Sequence, residues 1–182
     1  DAAANAWWWR RIATIWLILS LLVVAAVEGT AATLDGTNYW ERKGYARGEP
    51  SWCEASGHAY NRTATLFIRE SSNARSDYSY LSVGIGLIVL GATDALADLK
   101  YLQQPASTVR LPSRADRGSN ALLAYPVLTI CHGCTNVLHG FGTFWFHACQ
   151  CSEGGRMDVA GMLAVVAWSA IYPVVQLAWQ CS

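Results

Sequence analysis

Long apolar stretches are the feature that most constrains the fold of this chain, because a helix needs about 20 mostly apolar residues to span a bilayer. Stretches of this kind lie at 12–27, 77–97, 121–147 and 159–179. Only 14% of the 182 residues are charged, whereas soluble domains carry about a quarter. We therefore predict an all-α, multi-pass transmembrane protein with about four membrane-spanning helices.

The apolar stretches divide the chain into three regions. Residues 1–27 are predicted to form an N-terminal transmembrane helix, with tryptophans and arginines at 7–11 as an interfacial anchor. Residues 28–76 are polar and rich in turn-forming residues, which predicts an extramembrane segment. Residues 77–182 are predicted to form a three-helix membrane region. Pro173 predicts a kink in the last of these helices.

Four spans predict that both termini lie on one side of the membrane. Segment 28–76 and the turn at 148–158 then lie together on the other side. Basic residues occur on both predicted sides, so the excess of Lys and Arg in cytoplasmic loops gives almost no information on orientation.

A stripe of polar residues marks the third predicted span. The residues are spaced by four, three, four and four positions, which forms one continuous face of a helix: His132, Asn136, His139, Thr143 and His147. Polar groups inside a bilayer are costly and normally mark a site. The alternative is that they are interhelical hydrogen-bonding and core residues. His132 or His139 could also ligate a haem or chlorophyll, although no motif specifies such a cofactor.

Six cysteines add little to this interpretation. Cys131 and Cys134 share one helix face, and we interpret them as packing residues because a closed zinc site needs four ligands. Cys149-x-Cys151 follows the polar stripe. An even cysteine count predicts a disulfide framework only in small secreted domains, so the pairing stays open.

Two motifs resemble the alkaline ceramidase family. Trp52-Cys53-Glu54 is followed by Ile68-Arg69-Glu70-x-x-Asn73-x-x-Ser76, and the family reads W-C-E and then E-x-x-N-T-x-S-N before its first membrane helix. Residues 140–147 read G-F-G-T-F-W-F-H, with Asp158 eleven positions later, which is similar to the family's G-x-G-S-x-x-F-H and its following Asp. The matches cover roughly 52–162, about the N-terminal half of the family fold.

The resemblance implies a seven-helix membrane amidase whose zinc is held by three histidines and assisted by a Ser and an Asp. Zinc-activated water would attack the ceramide amide. By this resemblance His147 is a zinc ligand, Thr143 takes the place of the Ser that stabilises the oxyanion, and Asp158 binds zinc or its water. The implied calcium ligands are Trp52, through its carbonyl, with Glu54 and Glu70.

Several positions depart from the family pattern. The family's other two zinc histidines form an H-x-x-x-H pair on its last helix, and no histidine follows His147 here. Thr143 replaces the family's Ser, Ser51 replaces the Asp before W-C-E, and Asp77 replaces an Asn. A catalytic zinc site needs three protein ligands. We therefore expect a non-catalytic accessory subunit of a larger membrane complex. The alternative is a zinc-dependent alkaline ceramidase whose remaining helices are absent from this chain.

Composition also predicts partners and location. The formal net charge is zero, so no basic surface for nucleic acid is predicted, and the expected partners are membrane lipids and other membrane subunits. The chain starts at Asp1 instead of Met, which suits a processed subunit of a photosynthetic or respiratory complex. We expect a thylakoid or mitochondrial inner membrane, or else the endoplasmic reticulum or Golgi.

Overall fold

The computed structural model describes residues 2–37, 39–45, 67–102 and 125–181. Within these ranges all regular elements are helices, which confirms the all-α prediction. In chain order they are α1 (Ala2–Leu34), α2 (Tyr39–Arg42), α3 (Ser71–Ser76), α4 (Tyr78–Leu102), α5 (Pro126–Cys149) and α6 (Ser152–Cys181).

Three stretches of helix are long and apolar enough to cross a membrane: Trp8–Leu34, Ser72–Ala97 and Ser152–Ala178. They coincide with three of the four predicted spans, so the chain is an integral membrane protein by helix length and composition. The fourth predicted span is α5. Its 24 residues cover about 36 Å at about 1.5 Å per residue. This helix carries the polar stripe and packs between α4 and α6.

The helices extend beyond the apolar stretches from which they were predicted. α1 continues through Glu28 to Leu34, and α6 begins at Ser152 instead of near 159. Glu28 remains in the helix because its carboxylate is bonded: Arg75 donates to it from Nε at 2.7 Å and from Nη2 at 2.9 Å, and the Tyr78 hydroxyl lies at 3.0 Å. These contacts tie the end of α1 to the start of α4.

A short turn joins α5 to α6. Gln150 has a left-handed backbone with φ of 52°, and its N–H donates to the Phe146 carbonyl at 2.7 Å, a common way for a helix to end. A disulfide joins Cys149 to Cys151 across this residue. α6 begins at the next position, so the two helices run antiparallel with almost no connecting loop.

Glycines let the backbones of neighbouring helices approach closely. A Cβ on Gly133 of α5 would lie 2.7 Å from the carbonyl oxygen of Gly84 in α4. On the opposite side of α5, a Cβ on Gly161 of α6 would lie 2.7 Å from the Cα of His139. Small residues at such crossings are typical of helices packed within membranes, where close contact replaces the hydrophobic driving force.

Side-chain hydrogen bonds join helix α1 to α4. Trp16 Nε1 donates to the Ser82 carbonyl at 2.7 Å, and the hydroxyls of Ser20 and Ser82 lie 3.2 Å apart. Together with the Glu28 contacts, these hydrogen bonds show that α1 and α4 run antiparallel to each other. The end of α1, the start of α4, the end of α5 and the start of α6 consequently lie at one end of the bundle.

Substitution of Gly133 tests the close approach. We expect Gly133→Ala to lower the thermal unfolding midpoint in detergent, because the added Cβ forces α4 and α5 apart at a cost of about 1–3 kcal/mol. Gly29→Ala is the matched control, since a Cβ there meets nothing within 4 Å and Ala favours the helix. Equal midpoints for the two variants would contradict the packing.

Candidate functional site

The segment 67–70 caps the C-terminal end of α5. The N–H of Arg69 donates to the Ala148 carbonyl at 3.2 Å, and the N–H of Glu70 donates to the His147 carbonyl at 3.0 Å. The Arg69 guanidinium adds a bond to the Cys149 carbonyl at 2.7 Å. The last carbonyls of a helix have no partner within it. Segment 67–70 supplies hydrogen-bond donors to these carbonyls of α5.

The carboxylate of Glu70 is the centre of a buried polar cluster. Glu70 is only 1% exposed, and His147 Nδ1 and Asn73 Nδ2 both contact its Oε2, the latter at 3.3 Å. Gln150 Nε2 donates to Oε1 at 2.7 Å. An ionised carboxylate only accepts hydrogen bonds, so with Glu70 ionised the donor in this contact is Nδ1 of His147. The cluster joins segment 67–70, α3, α5 and the turn before α6.

A second set of polar contacts lies one turn earlier on α5. The Thr143 hydroxyl donates to Asp158 Oδ1 at 2.5 Å and lies 3.2 Å from Nδ1 of His139. The His139 ring packs edge-on against Tyr80, with centroids 4.6 Å apart. Thr143 and His139 are both buried. The structure thus brings three predicted site residues together: Thr143, His139 and Asp158.

Asp77 also lies at this end of the bundle, although in the sequence it is notable only because it replaces an Asn of the ceramidase pattern. It directly precedes α4, is 3% exposed, and its Oδ2 has no hydrogen-bond partner within the described residues. It interacts electrostatically with His147 and Asp158. Its position at the start of the predicted span is the one signal in the sequence, because an acidic residue inside a span is costly unless it faces the bundle interior.

The structure describes some of the residues predicted to bind zinc and calcium. Across 2–37, 39–45, 67–102 and 125–181, no three His, Cys, Asp or Glu side chains are grouped so that they could hold a metal ion. His147 and Asp158 therefore supply at most part of a zinc site, and zinc at these residues stays a prediction. Glu70 is described above, while Trp52 and Glu54 lie outside the described residues.

His132 lies apart from the other histidines of the stripe. Its ring packs against Trp168, with centroids 5.5 Å apart and planes tilted by 30°. Its buried Nδ1 has no hydrogen-bond partner in the described part of the chain. His139, in contrast, is enclosed between α4 and α6. Haem or chlorophyll at either histidine stays a prediction.

The structure differs from the sequence prediction in the environment of Cys131 and Cys134. Cys149 and Cys151 are buried and disulfide-bonded. Cys131 and Cys134 are exposed free thiols on α5, so their interpretation as packing residues is wrong. They share a helix face as expected, but that face points away from α4 and α6.

Comparisons of this chain with protein-family models, with curated proteins and with solved structures found no match. The resemblance to alkaline ceramidases therefore rests on the two motifs, and the family assignment stays a prediction.

Substitution of Arg69 tests the cap on α5. We expect Arg69→Met to lower the free energy of unfolding by about 1–3 kcal/mol, because the buried Cys149 carbonyl loses a charged donor. Arg42→Met, at an exposed position of α2, is the control. Chemical denaturation in detergent measures both, and equal stability of the two variants would argue against the cap.

Thiol mapping tests the turn. In the denatured but unreduced chain we expect alkylation at Cys131 and Cys134 and none at Cys149 or Cys151, because only free thiols react. After reduction, all of these residues should be modified. Peptide mass spectrometry reads the pattern, and modification of Cys149 without reductant would refute the disulfide.

Proposed function

We propose that this chain is a ceramidase-like, non-catalytic accessory subunit of a larger membrane protein complex in an organellar membrane. The observation that carries the proposal is that the residues implied in amide hydrolysis are already hydrogen-bonded within the chain. His147 bonds to Glu70, and Thr143 bonds to Asp158. These contacts stabilise a bundle and leave few groups for a substrate.

The hydrogen bond made by Thr143 argues against its role in stabilising an oxyanion. A donor stabilises an oxyanion only if its hydrogen points to where the negative charge develops. The Thr143 hydroxyl has a single hydrogen, and that hydrogen is directed to Asp158 Oδ1 at 2.5 Å. Asp158 in turn uses this oxygen as an acceptor. The pair therefore resembles an interhelical bond between α5 and α6 more than a prepared catalytic site.

The metal role also lacks support. A catalytic zinc needs three protein ligands and an open position, and the described residues offer no such group. With Nδ1 of His147 bonded to Glu70, only Nε2 of this histidine is left to bind a metal. A hydrolytic zinc would need ligands from outside the described part of the chain.

The outer surface favours association within a membrane. α6 packs chiefly against α5, and large apolar side chains remain exposed along its length: Met157, Val159, Met162, Leu163, Val166, Ile171, Val174 and Leu177. Extended apolar surface of this kind is covered by lipid or by other membrane helices. A subunit that contributes fixed helices to an assembly matches both the closed interior and the apolar exterior.

A second candidate is a zinc-dependent alkaline ceramidase that releases sphingosine and fatty acid, with two histidine ligands supplied by helices beyond this chain. One observation favours it: a carboxylate bonded to one nitrogen of a histidine is the arrangement that orients metal-bound histidines. Glu70 and His147 form such a pair. Nε2 of His147 would be the ligand atom, and zinc would supply the activated water.

Native electrophoresis and activity separate the two candidates. We expect the tagged chain, solubilised gently from fractionated membranes, to migrate with other membrane proteins far above its own 19.8 kDa. We also expect no zinc and no ceramide hydrolysis. The membrane fraction that holds the complex identifies the organelle.

Matched threonine variants supply the control. Thr143→Val removes the hydroxyl bonded to Asp158, whereas Thr135→Val removes a hydroxyl that bonds only the Cys131 carbonyl of its own helix. Ceramide hydrolysis by the wild type that is lost in Thr143→Val and retained in Thr135→Val would overturn the accessory function and support the enzyme.

A further inference from the structure

We infer that Glu70 is a positioning residue for His147 and not a calcium ligand. The inference rests on the chain's own contacts and goes beyond the proposed function, because it holds whether the chain is an accessory subunit or an enzyme. It disagrees with the role that the ceramidase resemblance implies for Glu70.

Hydrogen-bond donors surround the Glu70 carboxylate. Calcium is surrounded by six to eight oxygen ligands. In the described part of the chain, three N–H donors contact this carboxylate: Nδ1 of His147, Nδ2 of Asn73 at 3.3 Å and Nε2 of Gln150 at 2.7 Å. Their hydrogens converge on the carboxylate oxygens and carry partial positive charge. A calcium ion at the same oxygens would meet these hydrogens.

The burial of Glu70 supports a role in positioning His147. The Glu70 side chain is 2% exposed, while that of His147 is 18% exposed. An ionised carboxylate in such a position must be fully hydrogen-bonded or paired with a charge. Three side-chain donors meet that need without an ion. The Glu70 N–H also donates to the His147 carbonyl at 3.0 Å, so backbone and side chain both hold the two residues together.

The contact sets the chemistry of His147. The hydrogen bond made by one ring nitrogen determines which nitrogen carries the proton. With Nδ1–H directed to Glu70, the Nε2 of a neutral imidazole is an acceptor. Asp77 interacts electrostatically with this histidine. Glu70 therefore holds a single acceptor nitrogen at the end of the bundle, near the carboxylate of Asp77.

Nitrogen chemical shifts of histidine test the positioning role. The full chain carries four histidines, and the signals of His147 are assigned by their loss in His147→Gln. We expect the Nδ1–H form in the wild type and in Glu70→Gln, which keeps an acceptor oxygen. Glu70→Met removes the acceptor, and we expect the Nε2–H form that an unpaired imidazole prefers.

Glu153→Met is the matched control, since Glu153 is an exposed glutamate at the start of α6 that bonds the Ser152 hydroxyl. It should keep the wild-type form. An Nε2–H form in the wild type would overturn the inference even if Glu70→Met does not fold. Unchanged shifts in a folded Glu70→Met would overturn it as well.

Calcium titration tests the excluded role separately. We expect the thermal midpoint of the wild type to be the same in excess calcium and in a calcium chelator. Glu70→Gln should lower the midpoint by several degrees in both solutions, because Gln cannot accept all three donors. A calcium-dependent rise that persists in Glu70→Gln places calcium elsewhere and agrees with the inference. A rise present in the wild type and lost in Glu70→Gln would overturn it.

Discussion

The rest of the structure depends on the buried carboxylate of Glu70 and its bond to His147. A bare carboxylate cannot remain ionised in an apolar interior, so the chain must bring donors to it from several elements. Asn73 comes from α3, His147 from α5 and Gln150 from the turn before α6. The same approach places two backbone N–H groups on the open carbonyls of α5. One satisfied charge thus joins the segment before α3 to the end of the bundle where four helices meet.

Helix α5 explains why a chain with long apolar helices also has a polar interior. It carries the polar stripe and lies between α4 and α6, so Asn136, His139 and Thr143 are buried in the bundle and kept away from lipid. Asn136 bonds the His132 carbonyl one turn earlier. Glycines at the helix crossings bring the backbones of α4, α5 and α6 into close contact around these residues. The apolar side chains that remain outward on α6 then suit lipid or other membrane helices.

Much of the fold could be predicted from the sequence because helices that cross a membrane depend mainly on local composition. The apolar stretches predicted α1, α4 and α6, and the period of the polar stripe placed Thr143 and His139 inside the bundle. The end of α1 was predicted too early, because Glu28 is retained by Arg75 and Tyr78, which are distant in the chain. The partner of Glu70 was beyond prediction for the same reason: 77 positions separate it from His147. A motif carries residue types, but only the packed chain shows that donors surround this carboxylate.

The central claim is that the polar residues at this end of the bundle are closed on one another, with Glu70 bonded directly to His147. Solid-state NMR on the chain in lipid bilayers, with labelled Glu side-chain carboxyl carbon and His ring nitrogen, measures that contact by dipolar coupling. The account predicts a strong coupling between the Glu70 carboxyl carbon and Nδ1 of His147, at hydrogen-bonding distance and unchanged by calcium chelation. No coupling between these two atoms, or a coupling that appears only on chelation, would contradict it.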